Sequence, residues 1–209
     1  MAAIDVSTLS DDERLALAKQ LASDIRSSLP KELYAGSFTL KSKIPYKASS
    51  FREVLIHRVS DLADVAVELY EANYLVPAFI VTRSVVETSA VIYWLYQKSS
   101  EFIEKRDEEA FDEFIMKGML GSKDGTTKYE SYNVLTAVDR LDKEFPGLRD
   151  MYNTLCELTH PQLVWRYGSV LSHRKREVST TPWERAPTTA ARLGPWAVDW
   201  WSRYIPRLL

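Results

Sequence analysis

A single cysteine, Cys156, and only seven glycines occur in 209 residues. One thiol excludes an internal disulfide and a cysteine-based zinc site. Cys156 therefore reads as a small apolar residue on a helix. Scarce glycine, with few runs that alternate apolar and polar residues, argues against an all-β chain. An excess of one charge is missing too. Lys and Arg number 27 against 29 Asp and Glu, for a net charge of −2 and a pI near 6.0. That balance exerts no general pull on nucleic acid or on a membrane surface. Only three histidines are present, and none forms an H-x-x-x-H pair, so no metal or cofactor is expected. G-x-S-x-G, P-loop and G-x-G-x-x-G patterns are absent. Nucleophilic catalysis of that type and glycine-loop nucleotide binding are thereby disfavoured.

Long hydrophobic runs are confined to one, Leu75 to Tyr96. Arg83 and Glu87 stand in its middle, and each would cost roughly 2–3 kcal/mol or more at a bilayer centre. The run reads as the central helix of a soluble protein rather than a membrane span. The N-terminus has neither a basic start nor an apolar stretch and does not read as a secretory signal. No membrane association is expected, and the cytoplasm is the expected compartment.

What is present is ample core material: 45% hydrophobic and 27% charged residues, an ordinary balance for a globular chain of one domain. Ser10-Asp11-Asp12-Glu13 is a capping-box pattern. Behind it Leu15, Ala18, Leu21, Ala22, Ile25 and Leu29 recur at helical spacing up to Pro30. Residues 31–49 read as a loop across the core. A second capping box, Ser50-Phe51-Arg52-Glu53, predicts the start of another helix, with a stripe from Leu55 to Tyr70. Pro77 suits the first turn of the apolar helix. A separate amphipathic helix is expected from Glu101 to Leu120, then a polar loop at 121–125. Two short helices follow around the Phe145-Pro146-Gly147 break, the last ending at His160-Pro161. Beyond lie a basic run, His173-Arg174-Lys175-Arg176, and a terminal segment with Trp196, Trp200 and Tyr204 on one helical face.

The expectation is an all-α, single-domain helical bundle. An N-terminal helix and loop (1–49) pack on a core (50–165). A less regular arm (166–209) ends in a Trp-rich helix, whose face would serve as an interface if exposed.

Arg83 and Glu87 are four apart and share a helix face. A buried pair could hold an anion or carboxylate at Arg83 while Glu87 orients it or acts as a base; it could equally fix helix register. His160, at a helix C-terminus, is either a cap or a proton carrier facing that pair. His57 and Asp61, at i and i+4, can pair beside Arg58. The aromatic and basic residues between Trp165 and Arg176 make a small charged patch.

Several of these residues recur in one order: His57-Arg58, Arg83-Ser84-Val85-Val86-Glu87, Asn133-Val134-Leu135-Thr136, Phe145-Pro146-Gly147, and Tyr152 with Leu155 before Thr159-His160-Pro161. Over about residues 50–165 this order resembles a group of bacterial proteins carrying a domain of unknown function, itself similar to the HEPN superfamily of small helical bundles. The resemblance implies a bundle with a shared polar cluster of Arg83, Glu87, Tyr152 and His160. It also implies a protein partner or homodimer, with a role in bacterial defence or toxin–antitoxin systems. HEPN nucleases are metal-independent. On that alternative RNA is the substrate, His160 the general acid/base and Arg83 the phosphate stabiliser. Their Arg-x(4–6)-His spacing is met by Arg52 and His57 and by Arg166 and His173. Glu53 and Tyr167 follow those arginines, where the motif has a small polar residue, and His160 has no arginine in that window.

Overall fold

The computed structural model describes residues 9–32 and 42–160. Six helices account for most of them: α1 (Asp11–Ser28), α2 (Ile44–Glu71), α3 (Leu75–Lys105), α4 (Glu108–Leu120), α5 (Val134–Glu144) and α6 (Leu148–Thr159). Among the described residues the only β-type pairing is a lone bridge between Ser122 and Glu130. The all-helical expectation holds for this part of the chain. The arm, its basic run and the terminal tryptophans lie outside the described residues.

α1 starts where its capping box places it. Ser10 Oγ accepts from the Glu13 backbone N–H at 3.4 Å, and Glu13 accepts from the Ser10 N–H at 2.8 Å. The second capping box does not form. α2 begins at Ile44, not at Ser50, because Pro45 in its first turn needs no N–H partner and has a helical φ already set. Glu53 is then an interior residue and is buried. The next helix also departs from expectation. α3 runs on to Lys105 without a break near Glu101, and the chain turns only at Arg106, which sits in the left-handed region (φ 58°, ψ 27°). Asp107 then caps α4 by accepting from Ala110 N–H at 3.0 Å.

α3 is the axis of the bundle and packs against α2, α4, α5 and α6. One cluster of buried apolar side chains draws on all six helices, with Val59, Val85, Val86, Ile115, Val138 and Leu141 almost wholly enclosed. Small residues on both long helices are buried too: Ser60 and Ala63 on α2, and Ala78, Ser89 and Ala90 on α3. Rings tie α4 and the following loop to α3: Trp94 meets Phe114 at 5.1 Å and Tyr132 at 4.9 Å between centroids. By length and composition α3 is apolar enough to cross a membrane, but 56% of its most apolar stretch is buried inside the bundle.

α6 runs antiparallel to α3. Tyr93 packs on Phe145, just before α6, with centroids 6.4 Å apart, and Glu87, lower on α3, meets Tyr152, further along α6. Continuing that direction brings the end of α6 toward the Arg83 end of α3.

Candidate polar site between α3 and α6

Arg83 and Glu87 interrupt the apolar surface of α3 on the side that α6 covers. Tyr152, buried on α6, donates its hydroxyl to Glu87 Oε1 at 2.8 Å. Arg83 Nε lies 3.2 Å from the same oxygen. Its N–H is misaligned, and this buried nitrogen has no hydrogen-bond acceptor among the described residues. The Arg83–Glu87 contact is thus an ion pair without a directed hydrogen bond, whereas Tyr152–Glu87 is a directed, charge-assisted one.

The pair was expected to be buried, and it is only half-buried. The Arg83 side chain is 39% exposed and that of Glu87 24%. α6 is short and covers one flank of α3, so water reaches part of the Arg83 side chain. The charges need not neutralise each other to be tolerated.

The Tyr152 phenol is pushed well above its usual range. Burial is the main cause, followed by the neighbouring Glu87 carboxylate and Cys156 thiol. At neutral pH the hydroxyl keeps its proton and remains a donor to Glu87. Cys156, one turn beyond Tyr152 and half-buried, was read only as a packing residue. Its place beside the phenol follows from the i, i+4 spacing of the two on α6.

His160 is the C-cap of α6. It is exposed, and its backbone N–H bonds to Glu157 O at 3.1 Å. By helix rise it lies about 12 Å beyond Tyr152, and Arg83 about 6 Å beyond Glu87 in the same direction. Both therefore sit toward one end of the α3–α6 pair. Glu157 and His160 have the spacing of a helix-borne metal pair, but no group of three His, Cys, Asp or Glu side chains converges among the described residues.

α2 contributes less than expected. Asp61 does not serve His57; its Oδ1 accepts from Arg26 of α1 at 2.9 Å. His57 is exposed. Arg58 approaches Thr88 with Nε 3.3 Å from Oγ1, so it meets α3 on the α2 side, one residue past Glu87. Arg52, which matches the Arg-x(4–6)-His spacing with His57, is engaged by Glu53 instead.

Glu53 itself was missed. It lies on the α2 face that carries Ile56, Ser60, Ala63 and Val67, and that 3-4-3-4 spacing was the signal available. Comparisons with family models, with curated proteins and with solved structures found nothing that matches this chain.

Proposed function

We propose that the chain is a helical interaction or ligand-sensing module that holds an anionic group, a carboxylate or a phosphate, at Arg83. The observation that carries this reading is the partly exposed Arg83 side chain. Its buried Nε–H lacks an acceptor among the described residues, while Tyr152 already supplies Glu87 with a directed donor. Glu87 is held by Tyr152 and orients Arg83 through charge, which leaves the guanidinium able to take a second anion. The HEPN-like resemblance adds a single-domain bundle that works in the cytoplasm with a protein partner or a second copy, in bacterial defence or a toxin–antitoxin pair. His160, His57 and Arg58 are then peripheral contacts for that partner.

The test combines mass measurement of the full chain with thermal-shift screening against inorganic phosphate and a short single-stranded RNA. The reading requires self-association or stabilisation by an anion, and its loss in Arg83→Gln. A folded chain that stays monomeric and gains no stability from either probe contradicts it.

A second reading, a metal-independent ribonuclease using His160 and Arg83, is favoured by the antiparallel course of α6, which runs its His160 end toward the Arg83 end of α3. Here His160 would move the proton and Arg83 would steady the phosphate charge. RNA left intact after long incubation with folded protein rejects it.

A further inference from the structure

On the side of α3 away from the α3–α6 cluster, a half-open cavity of about 560 Å³ lies between the end of α1, α2 and α3. The size is that of a small-molecule site. Leu29, Ile56, Ile92 and Leu95 form apolar walls, and the exposed ring of Tyr96 stands at the edge. Glu53 also lines it, and its side chain is only 7% exposed. Among the described residues Glu53 is the one buried carboxylate. Its cation is the adjacent Arg52, whose Nε donates to Glu53 Oε1 at 2.9 Å and whose Nη2 donates to the same oxygen, while 60% of the Arg52 side chain faces solvent.

A carboxylate in an apolar wall is costly unless well neutralised. Arg52 meets it from the solvent side, where its charge is screened. A cation entering the cavity would do so in a lower dielectric. The apolar walls would take a hydrocarbon or aromatic body, and the Tyr96 ring offers a face to the positive end. Ser49 and Ser99 add hydroxyls to the lining.

We propose that this cavity binds an organic ammonium ion with an apolar body, its charge on Glu53 and its body against Ile56, Ile92 and Leu95. An anion of the same shape is rejected, because Glu53 faces it inside the cavity. Arg52 is the competing cation and weakens binding.

The probe is tryptamine, with indole-3-propionate as its anionic counterpart, each titrated into the full chain and followed by isoleucine and leucine methyl NMR. Tryptamine should shift the Ile56, Ile92 and Leu95 methyls saturably, and indole-3-propionate should not. Glu53→Gln should weaken tryptamine at least about tenfold, the effect of roughly 1.4 kcal/mol. Arg52→Ala should tighten it several-fold, and the contrast between the two probes on the unaltered chain keeps the idea testable if neither variant folds. Equal binding of both probes overturns the proposal. So does no binding at millimolar tryptamine, or an affinity that Arg52→Ala lowers. Contacts from residues 33–41 to the Ile92 methyls in the free protein also overturn it, because the chain itself would then be the occupant.

Discussion

Replacing Tyr152 with phenylalanine removes one oxygen and leaves the packed ring. The lost hydrogen bond, 2.8 Å to a carboxylate, is of the charged kind that contributes about 1.5–3 kcal/mol. Glu87 is a quarter exposed, so water replaces part of the missing donor, and we expect a loss of about 1–2 kcal/mol. Arg83→Gln removes an ion pair that lacks hydrogen-bond alignment and is partly in solvent. Such a pair contributes about 0.5 kcal/mol or less. Urea unfolding measures both, with an unchanged slope as the sign that the denatured state is the same. A double-mutant cycle of Tyr152→Phe with Glu87→Gln should return a coupling of about 1 kcal/mol. If Arg83→Gln costs as much as Tyr152→Phe, the ion pair is a structural fixture. Arg83 is then not at the disposal of a ligand.

Three further outcomes follow from the packing. Burial drives the phenols of Tyr70 and Tyr132 upward, and that of Tyr152 rises for the same main reason. A raised phenol favours the protonated native state, so stability is full below the unfolded value near 10 and is lost as pH climbs above it, by about 1.4 kcal/mol per pH unit for each such group. Urea midpoints between pH 9 and 11.5 should fall accordingly, with a shallower fall in Tyr132→Phe. Gly118→Ala should destabilise by about 1–3 kcal/mol in thermal unfolding, since a Cβ there would overlap the Phe51 ring and lie 2.7 Å from Tyr132 Oη. Arg106→Gly should raise thermal stability, because the left-handed C-cap of α3 costs an arginine about 1 kcal/mol that glycine does not incur.

Helices with written boundaries were legible. Ser10 with Glu13 marks α1, and Phe145-Pro146-Gly147 separates α5 from α6, where Gly147 takes a positive φ of 98°. Boundaries were missed where the local signal pointed elsewhere. Ser50 and Glu53 imitate a capping box inside a helix that Pro45 had already begun. Arg106 ends α3 in a conformation usually left to glycine, so nothing in its residue type announces the turn. The candidate site was legible in part. Arg83 and Glu87 stood out as charges in an apolar run, whereas Tyr152 joined them only through the resemblance, because it is 65 residues from Glu87 and no periodicity spans that distance. How far the pair is buried depends on how much of α3 the short α6 covers, which is a tertiary property. The His57–Asp61 pairing failed for a similar reason: Arg26 on α1 competes for the same carboxylate.

The central claim, that Arg83 receives an anion, is tested most directly at its own Nε–H by guanidinium-selective NMR. Titration with inorganic phosphate should move the Arg83 Nε–H resonance saturably. Glu87→Gln should tighten that response, because the resident carboxylate no longer competes for the guanidinium. A folded protein in which this resonance stays fixed while phosphate rises would contradict the account.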